Sequence, residues 1–186
     1  MDDQQIIELY WNRSDKAIAE TQRKYGKLCY KIAYNILGNR QDSEECINDT
    51  YWRAWNVIPP QRPEKLSAFL CRITRNQALK KYESNTAEKR GGGEVPLALE
   101  ELSLCIPDPN SIAAVTEQKE LIRKLNGFLA ELSVEARKIF LRRYWAMDSV
   151  RDIAVDMGLG ESKVKVSLHR TRKKLKVYLE QEGILL

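Results

Sequence analysis

Histidine is nearly absent from this 186-residue chain, which carries only His169, and its four cysteines, Cys29, Cys46, Cys71 and Cys105, stand 17, 25 and 34 residues apart. With no CxxC pair and a single imidazole, a zinc site has too few donors, so no metal is expected. The cysteines fall mostly at apolar helical positions, which reads as buried thiols and not as a disulfide framework. A phosphate-cradling loop is missing as well: Gly91-Gly92-Gly93 is not followed by the required Lys and Ser/Thr. These absences leave few parts for catalysis, and the chain is read as a non-enzyme without cofactors. No stretch approaches the roughly 20 apolar residues that span a bilayer. Its start, Met1-Asp2-Asp3-Gln4-Gln5, is acidic where a secretory signal begins basic and turns apolar. The expectation is a cytoplasmic protein with no direct membrane insertion. Hairpin dipeptides between alternating apolar runs are also lacking, which argues against sheet.

What is present is hydrophobic residue enough for a core, 43%, with 31% charged residues and a net charge of +5. The charge is unevenly spread. Residues 137–176 hold 12 Lys+Arg against 4 Asp+Glu, whereas residues 84–136 hold 5 against 9. A basic end set off by an acidic stretch suggests a polyanion partner, although such a cluster is also what a solvated helix face looks like.

Helical periodicity dominates the pattern. Leu28, Ile32 and Ile36 recur at fourfold spacing beside Cys29, Ala33 and Leu37, and Gly38 stands where a left-handed cap ends such a helix. Asp42 and Glu45 read as a capping box opening a helix through Thr50, Tyr51, Trp52 and Trp55. Pro59, Pro60 and Pro63 stop it, since proline lacks the amide donor. Ser67 then caps a helix carrying Phe69, Leu70, Ile73 and Leu79. From Ser84 to Ser111 the period dissolves among glycines, prolines and acids, which predicts a linker. Its apolar part, Leu97 to Ile106, is either a mobile tether or a brief helix that docks on a partner. Helices resume over Thr116–Glu131 and again after Ser133, with Ala136, Phe140 and Tyr144 on one face. The fold class expected is all-α: two small helical domains, 1–83 and 112–186, joined by a flexible linker, 84–111.

The sharpest signal lies in residues 149–176. A short helix turns Val150, Ile153, Ala154 and Met157 inward, Gly158-Leu159-Gly160 makes a tight turn, and a second helix buries Val164, Leu168 and Leu175. The opposite face carries Ser162, Lys163, Val166, His169 and Arg170, flanked by Lys165 and Arg172. This is the pattern of a helix-turn-helix whose second helix enters the major groove. Arg172-Lys173-Lys174 and Lys176 suit phosphates, which position without specifying. The alternative is an amphipathic hairpin with a basic solvated face; the turn glycines and seven cations between Lys163 and Lys176, with no acid among them, favour DNA. His169 also reads as a plain surface imidazole.

At these residues the chain resembles a family. Leu132-Ser133, Phe140 to Tyr144, Ser149 to Ala154, Gly158, Val164-Lys165 and Leu168 to Leu175 resemble the promoter −35-reading domain (region 4) of RNA polymerase sigma factors, closest to the small extracytoplasmic-function group of the sigma-70 family. Tyr34 to Asn39, with Asp42 through Trp55, resembles that group's core-binding segment in region 2, and Phe69 to Leu79 its −10-reading helix. The resemblance implies that Asp42, Glu45, Asp49, Arg53 and Trp55 bind core polymerase, with simple core packing as the other reading of Trp55. It implies that loop Asn56–Ser67 captures a flipped base of the −10 strand and that Arg72, Arg75 and Asn76 face promoter DNA. In the second domain it assigns Ser162, Lys163, Lys165, Val166, His169 and Arg170 to the −35 element and Arg143 and Arg172 to its phosphates. Core RNA polymerase and promoter DNA are the implied partners, with an anti-sigma factor as a further one. A stand-alone helix-turn-helix regulator is the rival reading. Gly160 stands where the family has Ser or Thr, Lys163 for a usual Thr, Ser167 for a common Arg, and the loop lacks the usual aromatic.

Overall fold

The computed structural model describes residues 1–86, Ala98, Glu101–Leu102 and 115–184, and is helical throughout, with no strand among the described residues. The chain divides into two compact units, Met1–Gly91 and Gly92–Leu186.

In the first unit, α1 (Asp3–Trp11) opens on a capping box, Asp2 accepting from the Gln5 amide at 2.8 Å and Gln5 accepting from the Asp2 amide at 3.0 Å. Then come α2 (Lys16–Leu37), α3 (Arg40–Val57) and α4 (Leu66–Thr86). The last three pack mutually, and α1 lies against α2. Gly38 ends α2 at φ +63°, the left-handed conformation its place in the sequence predicts. Two starts differ from expectation. Asn39, not Asp42, caps α3, its carboxamide oxygen accepting from the amides of Gln41 and Asp42. The Lys65 carbonyl accepts the first bond of α4, from the Phe69 amide at 3.1 Å, so Ser67 lies within the first turn.

Ile6, Ile7, Tyr10, Cys29, Ala54, Ile58, Leu66 and Leu70 form a core without solvent exposure. Leu28 is not part of it, at 43% exposed; the buried stripe of α2 runs through Cys29, Ile32, Ala33 and Ile36. The buried hydroxyls of Thr21, Thr50 and Thr74 are satisfied within their own helices, each donating to the carbonyl four residues back at 2.8 to 2.9 Å. Cys29, Cys46 and Cys71 are buried free thiols, and desolvation pushes Cys46 and Cys71 up to about 12. Cys105 lies outside the described residues.

The second unit contains α5 (Val115–Glu131), α6 (Val134–Tyr144), α7 (Val150–Met157) and α8 (Glu161–Gln181). Ser133 and Ser149 cap α6 and α7 by accepting from the amides of Ala136 and Asp152. Gly158, at φ +65°, closes α7, and its turn leads directly into α8, which has no side-chain cap at Gly160. α6 and α7 both pack on α8 through Ile139, Phe140, Tyr144, Ile153 and Ala154 against Val164, Leu168, Thr171, Leu175 and Leu179. Arg142 ties α6 to α7 by reaching both Asp148 and Asp156 at 2.5 Å. Ala98, Glu101 and Leu102, from the stretch read as tether or brief helix, are helical, and Ala98 is buried. The remainder of that stretch lies outside the described residues.

Candidate nucleic-acid interface

On α8 the buried positions 164, 168, 171, 175 and 179 fix the rotation of the helix, and everything the sequence assigned to the outward face follows. Ser162, Lys163, Lys165, Val166, His169 and Arg170 are all exposed. Two shallow grooves flank Arg170. One, of about 330 Å³, is lined by Glu135, Lys163, Val166 and Lys174; the other, of about 650 Å³, by Phe128, His169, Lys173 and Tyr178. The face is only lightly engaged: Lys163 pairs with Glu135 at 3.0 Å and Lys165 with Glu161 at 3.9 Å, both exposed pairs that a phosphate can displace at little cost. Val166, 47% exposed, offers an apolar contact between the cations.

The two arginines assigned to phosphates are placed differently from this face. Arg143 has no solvent exposure: its guanidinium donates to the Asp148 carbonyl at 3.2 Å and pairs with Glu101 at 3.4 Å. It follows Ile139 and Phe140 on the buried stripe of α6, so the surface placement is corrected to an internal one. Arg172 is 21% exposed, paired with Glu101 at 3.1 Å and bonded to the Tyr144 hydroxyl at 2.5 Å. Burial and the hydrogen bond to Glu101 hold the Tyr144 phenol well above its ordinary range, so it is a neutral hydroxyl.

In the first unit the residues expected to divide between polymerase and −10 DNA are sorted by helix face. Arg53, Arg72 and Asn76 line one groove of about 430 Å³ between α3 and α4, joined by Gln61, Gln77 and Lys80. Arg72 lies over the Phe69 ring, 5.7 Å from its centroid. Arg75 is not among the residues lining this groove and is half-buried, where desolvation lowers its basicity. The connection from Ile58 to Lys65 is held to α1 by Arg62, which pairs with Glu8 and covers the Trp11 ring. Arg62, Glu64 and Lys65 line a second shallow recess that shares Gln61, Phe69 and Arg72 with the first.

Along the outer face of α3, Glu45 and Asp49 are exposed, and Asp42 and Glu45 share Lys81. Trp55 does not join them. It packs on the core beside Tyr10, ring centroids 6.2 Å apart, under the Arg13 guanidinium. The surface aromatic is Trp52, 69% exposed, which the sequence reading passed over as a site residue. Its position between the buried Tyr51 and Ala54 is the periodic signal that marks it as outward. Gln61, Gln77 and Lys80 were likewise not singled out; they are the groove positions one turn from Arg72 and Asn76 or on the facing loop.

Among the described residues no cluster of three metal-ligating side chains occurs, and no helix is long and apolar enough to cross a membrane. Comparison with known proteins places two family models on the chain: Sigma-70 region 2 over residues 22–88, and Sigma-70, region 4 over residues 122–175. The chain is 24% identical over 165 residues to the ECF RNA polymerase sigma factor SigL of Mycobacterium tuberculosis, covering 87% of this chain and 88% of that one. It is 25% identical over 165 residues to ECF RNA polymerase sigma factor SigE of Mycolicibacterium smegmatis, covering 88% of this chain and 62% of the relative. Among solved structures, CnrH in complex with the cytosolic domain of CnrY aligns at 18% identity and a TM-score of 0.44, over 96% of this chain and 97% of that one. Two matched regions in family order do not favour a stand-alone helix-turn-helix regulator: this protein belongs to the sigma-70 family and is a promoter-recognising sigma factor of the extracytoplasmic-function group.

Proposed function

We propose that this sigma factor divides its work among three surfaces. The outer face of α3, with Glu45, Asp49 and the exposed Trp52, binds core RNA polymerase. An aromatic set among acids supplies apolar area and charge at one place, the composition of an interface hot spot. The groove between α3 and α4, with Arg53, Arg72, Lys80, Asn76, Gln61 and Gln77, holds the unpaired −10 strand: three cations follow the backbone and three carboxamides offer donors and acceptors to base edges. The outward face of α8 reads the −35 duplex through Lys163, Lys165, Val166, His169 and Arg170. Residues 1–83 and 112–186 form the two binding domains in this scheme, with 84–111 between them, and the protein acts in the cytoplasm. An anti-sigma factor that masks the α3 and α8 faces is part of the proposal, because both faces carry exposed apolar side chains, Trp52 and Val166, amid charge.

The observation that carries the reading is the α8 face: six exposed residues in register over a stripe buried to 4% or less. Co-purification tests the polymerase arm. Core subunits are expected with the wild-type chain, and Asp49→Ala combined with Trp52→Ala is expected to lose them while the melting temperature stays constant. Equal recovery by both proteins would contradict the assignment of α3.

A further inference from the structure

Glu101 belongs to the stretch between the two matched regions, yet its carboxylate is held by three groups of the second unit. Oε2 accepts from the Tyr144 hydroxyl at 2.9 Å and from Arg172 Nη1 at 3.1 Å; Oε1 accepts from Arg143 Nη2 at 3.4 Å. Arg172 Nη1 also donates to the Tyr144 oxygen at 2.5 Å. The site is graded in depth, with the Arg143 side chain fully buried and those of Arg172 and Glu101 21% and 23% exposed. A partly exposed oxyanion is thus held by donors that include two guanidinium groups and a phenol. These are the donors that bind a phosphodiester, and the anion they hold has the same charge sign and, like it, two acceptor oxygens.

We propose that Glu101 is an internal stand-in for a promoter phosphate, which occupies Arg172 in the free protein and is displaced when α8 seats on duplex DNA. The proposal rests on the reading of Arg172 as a phosphate-facing residue of α8. Arg172 lies on the flank of the exposed face, seven residues after Lys165 and three after His169, and its own exposure leaves a path for an incoming oxygen. Exchange replaces one charge-assisted contact by another, so little is lost at Arg172, while Lys173, Lys174 and Lys176 gain phosphates and release counterions. Arg143, buried and anchored to the Asp148 carbonyl, stays behind as the fixed wall. Because the coupling is reciprocal, undocking Glu101 by other means raises the affinity of α8 for DNA by the same factor.

The test uses the full chain and a short labelled duplex of arbitrary sequence, since phosphate contacts carry no base information. Glu101→Gln is expected to tighten binding roughly 3- to 10-fold, the range of one ordinary net hydrogen bond. Glu180→Gln, which removes the same charge from an exposed position of α8, is expected to change it by less than about twofold. On an Arg172→Ala background the Glu101→Gln effect is expected to vanish. Glu101→Asp keeps the charge but shortens the reach, and is expected to tighten binding as well. Amide hydrogen exchange supplies a readout without DNA: residues 98–102 should exchange faster in Glu101→Gln, and faster in the wild type once duplex is added, with α8 unchanged. Equal affinities of Glu101→Gln and Glu180→Gln, or no faster exchange at 98–102 on adding duplex, overturn the displacement. Faster exchange in Glu101→Gln with no duplex binding by any variant overturns the phosphate reading of Arg172 itself and leaves Glu101 a structural tie.

Discussion

Replacing Arg143 by methionine separates a buried anchor from a DNA contact. Methionine fills the space of the aliphatic stem and removes every donor. The Asp148 carbonyl then loses its bond from the guanidinium, and Glu101 loses one of its partners. A hydrogen bond from a charged donor contributes about 1.5–3 kcal/mol, and an acceptor left unmet in the interior costs about 1–3 kcal/mol. Relief of the desolvation penalty of a buried guanidinium offsets part of this, and Glu101, 23% exposed, regains water. The net is a loss of about 2 kcal/mol, which for a unit of this size lowers the melting temperature by about 8–15 °C. Circular dichroism melting of the full chain measures it, beside anisotropy titration of duplex at several salt concentrations. Below the transition, affinity is expected within about twofold of wild type, with the same salt slope. An unchanged melting temperature together with weaker binding and a slope shallower by about one, the mark of a lost phosphate contact, would refute the internal placement.

Trp52→Ala is expected to weaken core-polymerase binding by about tenfold or more with stability unchanged, as for an exposed interface anchor. Trp55→Ala is expected to cost about 3 kcal/mol in denaturant unfolding, because that ring is part of the core packing around Tyr10. Competition for core enzyme and urea titration distinguish the two. Arg170→Ala is expected to lower promoter affinity by about 1–3 kcal/mol and to flatten the difference between wild-type and −35-mutated duplexes, as read by competition binding.

Helix starts and stops marked by a unique local conformation were legible. Gly38 and Gly158 take the left-handed φ their positions required, and Ser133 caps as placed. Where several polar residues cluster, the sequence did not decide among them: Asn39 and Asp42 are both good caps, and only the path of the chain after Gly38 selects Asn39. The exposed face of α8 was read correctly because Val164, Leu168 and Leu175 are three apolar points on one stripe. On α3 the aromatic run was less informative. Tyr51, Trp52 and Trp55 are all large and apolar, and the choice of Trp52 as the outward one depends on Tyr10 and Arg13 claiming Trp55 from α1 and the turn after it. Arg143 was misplaced because its partner Glu101 lies 42 residues away in a stretch without periodic pattern. Its spacing from Ile139 was a usable signal of burial, but its assignment to phosphate came from the family resemblance and not from that spacing.

Run-off transcription by purified core enzyme with and without this chain addresses the central claim most directly, on a template carrying its cognate promoter and on versions altered at −35 or −10. A specific transcript that needs the chain and falls with either altered element is the predicted result. No stimulation of core enzyme on any of these templates, with the chain folded and in excess, would contradict the account.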